Sequence, residues 1–182
     1  PRSHATLAMG LKLHGLAAGT AAGTLLAVLL PRRRAGSARC VVDAVHSAPV
    51  GGCITLTALG ERTLAECDLT GLAPGLHGLH VHRCGDLSRG CASTCDHYNP
   101  SGARHGGPTG PHRHRGDFGN VLAGADGTCR TTVVAEVRLD ELLGRAFVVH
   151  AGEDDLGQGG DAESLATGNA GARIACGLIV AD

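Results

Sequence analysis

The sequence predicts an all-β domain, either a β-sandwich or a barrel, with two long functional loops. Short runs of apolar or alternating residues recur along the chain and are separated by turn residues, which is typical of such folds. The 29 glycines follow no three-residue period, so a collagen-like chain is excluded and a turn-rich fold is favoured. No segment of the domain has the length and periodicity of an ordinary helix.

Individual strands are predicted where side chains alternate or where an apolar run follows a turn. In the second run, Ile54 and Leu56 point to one face, while Thr55 and Thr57 point to the other. The Asp126-Gly127 pair is a strong hairpin signal ahead of a later run. The predicted strands are 40–45, 53–59, 63–69, 76–82, 128–134, 146–150 and 174–180.

Two long segments, 83–116 and 151–172, show neither helical nor strand periodicity. Loops of that length in a compact domain are usually functional or disordered. Histidines and cysteines are concentrated in the first of them. We therefore expect the first loop to carry the function.

Charge and aromatic content exclude nucleic acid as a partner. The chain has 16 basic and 17 acidic residues and a net charge of −1, so it is not a polybasic binder. Aromatic residues are only 2% of the chain and tryptophan is absent, which leaves few rings on which bases could stack.

Residues 1–38 are predicted to be a targeting or anchor segment that precedes a domain over 39–182. The segment has no acidic residue, and its apolar stretch 13–30 is followed by three arginines. A secretory signal that starts at Met9 is favoured, so the protein is expected to be extracellular. A membrane anchor and an organelle transit peptide are alternatives, as is a cytoplasmic location. The arginines 32–34 argue against secretion, because positive charge tends to stay on the cytoplasmic side of a membrane.

Seven histidines lie between positions 77 and 114, and their spacing predicts metal binding. His80 and His82 are two residues apart in a strand, so both rings point to one face and can grip one ion. His150 ends a later strand and can return to the same ion. Ligation by imidazoles alone, with one position open, suits copper.

A second donor set lies further along the first loop. His97, His105 and His114 are followed by Asp117, three residues after the last histidine. Three imidazoles and one carboxylate form a closed tetrahedral set that suits zinc. Spacing alone predicts a metal site here but leaves the identity of the metals open.

Long motifs in this chain resemble the copper/zinc superoxide dismutase family, over about residue 38 to the C-terminus. They are GLHGLHVH at 75–82, HYNP at 97–100, HGGP at 105–108, HRGDFGNV at 114–121, GRAFVVH at 144–150, DDLGQGG at 154–160 and TGNAGARIACG at 167–177. The resemblance implies a Greek-key β-sandwich, or flattened barrel, of about eight strands.

The resemblance also implies a role for each motif residue. Copper would bind to His80, His82, His97 and His150, and zinc to His97, His105, His114 and Asp117, so that the His97 ring bridges the two ions. Asp154 would hydrogen-bond ligand histidines of both sites and fix their orientation. His77 would be structural, and Cys91 and Cys176 would form a disulfide that pins the first loop to the last strand.

An enzyme that dismutates superoxide to dioxygen and hydrogen peroxide is the function that the resemblance implies. Copper would cycle between two valences, Arg173 would attract the superoxide anion, and His97 would release and re-form its bridge. Homodimers are common in the family, and a copper chaperone would be a partner for loading. Gly152, Ala162 and Ala166 stand where family members often carry charged residues, so we expect weaker electrostatic steering.

Six further cysteines have no role in the resemblance: Cys40, Cys53, Cys67, Cys84, Cys95 and Cys129. Their even number in a secreted domain allows further disulfides. Cys84 and Cys95 are the best candidates for a second bridge, because they flank the start of the metal loop. The other four are interpreted as small apolar residues of the core.

Two alternatives to the enzyme remain. One is the superoxide-dismutase-like part of a copper chaperone, which DHYNPSGARHGGP resembles in part. The sequence shows no CxxC copper-transfer domain and no CxC tail, and it keeps His150 and Arg173, so the enzyme is favoured. The other is an extracellular metal-binding or structural protein with the same shell.

Overall fold

The structure is a computed structural model that describes residues 36–44 and 49–182. In these ranges it contains nine strands and two short helices: β1 Ser37–Ala44, β2 Gly51–Leu59, β3 Arg62–Thr70, β4 Gly75–His82, β5 Ser88–Cys91, β6 Asp117–Ala123, β7 Cys129–Ala135, α1 Leu139–Leu142, β8 Ala146–His150, α2 Ala162–Thr167 and β9 Arg173–Ala181.

The predicted targeting segment, apart from its last three residues, lies outside the described residues. The last two of those, Ser37 and Ala38, already belong to β1, and Ala38 is fully buried between partners on β2 and β9. Both helices in the described parts of the chain are too short and too polar to cross a membrane.

Eight strands form one antiparallel sheet in the order β6-β4-β8-β9-β1-β2-β3-β7. The two end strands, β6 and β7, are joined by a tight turn at Gly127, whose φ of 74° suits glycine, so the sheet almost closes into a barrel. β8 lies between β4 and β9, and β9 lies beside β1, so distant parts of the chain become neighbours. The all-β prediction with Greek-key architecture is confirmed.

Alternating side chains build the core inside the barrel. On β2 and β3, Ile54, Leu56 and Leu69 are completely buried, whereas their neighbours along each strand are more exposed. The rings of Phe118 and Phe147 meet edge to face, with 5.0 Å between their centroids. Each such side chain contributes about 1.5–3 kcal/mol through its removal from water.

β4 is buried on both faces, and this positions the metal-binding residues. Its inner face sends Leu79 and Val81 into the core, while its outer face carries His80 and His82 under the two long loops. The loops therefore cover the outer face of β4 and exclude water from it.

All seven predicted strands are present, with ends that differ by a few residues. Two strands were missed. β5 is four residues long and lies within the first loop. The sequence does not predict β6, because its residues do not alternate between apolar and polar. The first three residues of this strand are all buried, since the second loop packs on its outer face.

Candidate metal centre

Three buried imidazoles converge from β4 and β8 on one point. His80 and His82 come from the end of β4, and His150 ends β8. Their atoms His80 Nδ1, His82 Nε2 and His150 Nε2 are buried and have no hydrogen-bond partner. Together with a ring nitrogen of His97, the donor atoms of this group lie within 4.8 Å of one another. Buried polar atoms without partners are costly, so this set fits a metal ion.

The opposite nitrogen of each ring is held by a hydrogen-bond acceptor. His82 Nδ1 donates to the Cys95 carbonyl oxygen at 2.8 Å, and His150 Nδ1 donates to the Gly171 carbonyl oxygen at 2.9 Å. His80 Nε2 donates to Asp154 Oδ2 at 2.9 Å. These contacts set each tautomer so that the free nitrogen carries a lone pair toward the shared point.

The second donor set surrounds Asp117, the first residue of β6. Its Oδ1 lies 3.0 Å from His97 Nδ1, 3.1 Å from His105 Nδ1 and 3.2 Å from His114 Nδ1. All of these side chains are buried. Three imidazole nitrogens around one carboxylate oxygen fit zinc.

His97 belongs to both sets. Its Nδ1 faces Asp117, and its ring lies 4.1 Å from the His80 ring between centroids. Donor atoms of His80, His97, His105 and Asp117 also lie within 4.8 Å of one another, so the two sets are contiguous. The His97 side chain is therefore a member of both groups of donor atoms.

Burial keeps the first set of imidazoles neutral. It lowers the pKa of His80 to about 3, that of His82 to about 2 and that of His150 to about 4. Each ring is therefore neutral at neutral pH, with one nitrogen free of a proton, which is the state that binds a metal ion.

Hydrogen bonding outweighs burial at two members of the second set, Asp117 and His105. Burial alone would raise the pKa of Asp117, but hydrogen bonds from His105, His114 and His97 outweigh it and hold the pKa well below the usual range. Burial alone would lower the pKa of His105, but its hydrogen bonds to Asp117 and Asp154 raise it to about 9. A metal ion that takes Nδ1 of His105 must therefore displace a proton.

Asp154 links the two sets from behind. Its Oδ2 accepts a hydrogen bond from His80 Nε2, and its Oδ1 accepts one from His105 Nε2 at 2.7 Å. Gly168 lies so close that a Cβ there would collide with both Asp154 and His105, and its φ is 75°. A side chain at 168 would thus push apart the contact that orients both sets.

A pocket of about 720 Å³ leads to the first set and is lined by His82, His97, His150 and Arg173, among other residues. The guanidinium of Arg173 donates to the Cys91 carbonyl oxygen at 2.9 Å and to Thr94 Oγ1 at 3.2 Å. Among the described residues that line the pocket, Arg173 is the sole lysine or arginine, and Asp96 and Glu163 line it too.

Two disulfides tie the first loop down. Cys91 is joined to Cys176 on β9, across 85 positions of sequence, and Cys84 is joined to Cys95, across 11. The other four cysteines are free thiols, of which three are buried: Cys40, Cys67 and Cys129. Cys53 is half-buried.

Sequence reasoning missed the backbone groups that orient the ligands. The carbonyl oxygens of Cys95 and Gly171 leave no side-chain signal. Asn120 was also missed, although it is part of the HRGDFGNV motif. Its side chain exchanges two hydrogen bonds with the backbone of Asp154 and so holds that carboxylate in place. His77, which was predicted to be structural, contacts the carbonyl oxygens of Ala73 and His150 and stands outside both sets.

An antiparallel barrel that carries two contiguous sets of imidazole donors is typical of the copper/zinc superoxide dismutase class. Comparison with known families supports the same class. The model of the copper/zinc superoxide dismutase family matches residues 50–179. The chain belongs to this family.

The curated relatives show which members of this family the chain is similar to. The chain is 51% identical over 135 residues to the copper chaperone for superoxide dismutase of Sus scrofa, which covers 73% of this chain and 49% of the relative. It is 52% identical over 120 residues to the proteins of the same name from Homo sapiens and Rattus norvegicus, with 65% of this chain and 44% of each relative covered. The chain thus spans about half the length of these relatives.

These relatives contradict the prediction that the chain is a superoxide-dismutating enzyme. Proteins half identical to it are named as copper chaperones for that enzyme, and not as the enzyme. The histidines misled the prediction, because a set of imidazoles that can hold copper is equally suited to a catalytic copper ion and to one that is carried. The relatives agree with the prediction of a copper-related partner, because they are named copper chaperones for superoxide dismutase.

Proposed function

We propose that this domain is the superoxide-dismutase-like part of a copper chaperone, which holds copper as cargo and docks on a superoxide dismutase. The observation that carries the proposal is the 51–52% identity to copper chaperones across the barrel. The two donor sets support it, because a carrier needs an ion-binding group beside an open pocket.

Copper would be held by His80, His82 and His150, with His97 at the edge of the group. Zinc would be held by His97, His105, His114 and Asp117. These assignments follow ligand chemistry, since three neutral imidazoles beside a pocket suit copper, and a closed set with a carboxylate suits zinc. Zinc has one stable valence, so its role would be to hold the first loop in place, and the chain's own carboxylate at Asp154 would orient ligands of both ions.

The docking face would be the outward side of β1 and β9. Val41, Leu178 and Val180 are 58%, 38% and 42% exposed there. Val180 pairs with Arg39 across the two strands. Val41 and Leu178 each lie two residues along from that pair, so Val41, Leu178 and Val180 share one outer face. Exposed apolar side chains clustered on a sheet face are typical of protein interfaces. We propose a superoxide dismutase subunit as the occupant, because the relatives are named for that protein; pairing with a second copy of this chain is the competing outcome.

The test is copper transfer from the loaded chain to a superoxide dismutase that contains zinc but no copper. After incubation the two proteins are separated and the copper in each is measured. We expect copper to move to the dismutase. The V41E/L178E variant should lose complex formation and transfer, whereas L122E should behave as wild type, because Leu122 is 62% exposed on β6, away from the docking face.

Copper that stays on the chain would contradict the proposal. Equal transfer by wild type and V41E/L178E would contradict the docking face. A stable pair of two copies of this chain that does not exchange with the dismutase would contradict the proposed occupant.

The compartment stays a prediction, with secretion favoured and organelle targeting or the cytoplasm as alternatives. The mass of the mature N-terminus tests it, since cleavage near residue 38 is expected only for a processed targeting segment.

A further inference from the structure

The Cys84–Cys95 disulfide lies next to the first donor set. Cys84 comes two residues after His82 at the end of β4, and Cys95 comes two residues before His97. Both cysteines are half-buried, whereas Cys91 and Cys176 of the other disulfide are almost completely buried. The more exposed bridge is thus the one between two metal-binding histidines.

Cys95 has an unusual backbone conformation that orients one of these histidines. Its φ is 65°, in the left-handed region that favours glycine. In that conformation its carbonyl oxygen accepts the hydrogen bond from His82 Nδ1 at 2.8 Å. This bond leaves His82 Nε2 pointing at the other ligands. The left-handed conformation at Cys95 therefore orients the His82 ring.

The surroundings must hold Cys95 in place, because a side chain disfavours this conformation. Backbone hydrogen bonds flank it, from Cys84 to the Thr94 carbonyl at 3.0 Å and from Arg83 to the Asp96 carbonyl at 2.8 Å. Those bonds hold its two neighbours. In the part of the chain that the structure describes, the group that fastens the Cys95 side chain itself is the disulfide to Cys84.

We propose that the Cys84–Cys95 disulfide is a clamp that holds His82 in position for copper, so that reduction of this disulfide weakens copper binding. The inference rests on the proposed function, in which copper is the cargo. Reduction needs a dithiol: the dithiol supplies two electrons and two protons, the S–S bond breaks, two cysteine thiols form, and the dithiol becomes a disulfide. Release of the Cys95 side chain then lets the backbone leave the left-handed region and turns its carbonyl away from His82.

The test compares two variants of the full chain that both lack the bridge but keep Cys91–Cys176. In C84S/C95A, alanine disfavours the positive φ; in C84S/C95G, glycine adopts it without steric cost. Copper(II) affinity is measured by competition with a chelator, and the copper(II) EPR spectrum reports ligand geometry. Zinc affinity is measured in parallel, since all four zinc donors lie outside the segment 84–95 that the bridge closes. C53S, which removes a free thiol, is the control for cysteine loss.

We expect C84S/C95A to bind copper at least tenfold more weakly than wild type, with an altered EPR spectrum, because loss of a partner that orients a ligand costs 10–100-fold in affinity. C84S/C95G should stay within about threefold of wild type, because glycine keeps the turn. If C84S/C95A does not fold, wild type titrated with a mild dithiol serves instead. Alkylation of Cys84 and Cys95 should then coincide with copper release, before Cys91 and Cys176 react.

Equal copper affinity in wild type and both variants would overturn the inference and leave a purely structural disulfide. Equal weakening in the alanine and glycine variants would also overturn it, because loop closure and not the turn at Cys95 would then be responsible. If oxidised wild type binds no copper at all, the proposed function fails, and the inference fails with it. In the two outcomes above copper still binds, so only the inference fails.

Discussion

Replacement of Asp154 by asparagine tests how one carboxylate serves both donor sets. Asp154 Oδ1 accepts from His105 Nε2 and from the Leu156 backbone N–H, both at 2.7 Å, while Oδ2 accepts from His80 Nε2 at 2.9 Å. An asparagine keeps one acceptor oxygen. That oxygen will stay with the two donors, so the amide NH₂ will face the N–H of His80.

Two N–H groups cannot share a hydrogen bond, so His80 must move its proton to Nδ1 or leave Nε2 without a partner. A proton on Nδ1 removes the lone pair that faces the other ligands. We therefore expect D154N to bind copper 10–100-fold more weakly, which is about 1.4–2.8 kcal/mol. Zinc should be weakened less, because His105 keeps its acceptor. Competition against a chelator for each metal gives both affinities.

The neighbouring carboxylate provides the control. Asp155 accepts from Ser164 Oγ, Asn169 Nδ2 and the Gly157 N–H, and it contacts neither donor set. D155N should lower the melting temperature but leave copper affinity within about threefold of wild type. Unchanged copper affinity in D154N, or an equal loss in D155N, would refute the argument.

Three further outcomes are expected. G168A should lower the melting temperature more than G60A: both glycines have positive φ, but a Cβ at Gly168 collides with the carboxylate and imidazole behind the metal centre, whereas one at Gly60 meets nothing within 4 Å. Similar losses in a thermal melt would contradict this close-packing argument. At pH 8, iodoacetamide should modify Cys53 in the native protein but not Cys40 or Cys67. Burial raises the pKa of Cys40 and Cys67 to about 12 and keeps them as unreactive thiols. Peptide mass mapping identifies the modified cysteines, and labelling of all three at one rate would contradict the expectation. Removal of bound metal with a chelator should lower the melting temperature, because buried ring nitrogens of His80, His82 and His150 lose their partners. A calorimetric melt that does not change would count against a metal in these sets.

The strands that the sequence predicts are those with one face in the core and one toward solvent. β2 is an example, because Ile54 and Leu56 are buried and Thr55 is exposed. β6 departs from this pattern because the second loop packs on its outer face, where Asn120 bonds to Asp154. The periodicity of β6 alone cannot indicate that it packs against a loop 34 positions away in sequence.

The donor side chains were predictable because the family motifs carry them in order. Their support was not, because it comes from backbone carbonyls of Cys95 and Gly171, which any residue type supplies. The function was predicted wrongly for a related reason. His150 and Arg173 were interpreted as marks of an enzyme, yet residues that can hold a copper ion beside a pocket do not determine whether the ion is used in a reaction or passed on.

Anomalous X-ray diffraction at the copper and zinc edges, on crystals of the metal-loaded chain, tests the proposed centre most directly. The proposal predicts copper among His80, His82 and His150, zinc beside Asp117, and the ring of His97 between the two ions. Crystals grown from the chain after it has been incubated with copper-free dismutase and purified again should lack the copper peak and keep the zinc peak. A single mixed site, or copper bound elsewhere on the chain, would contradict the account.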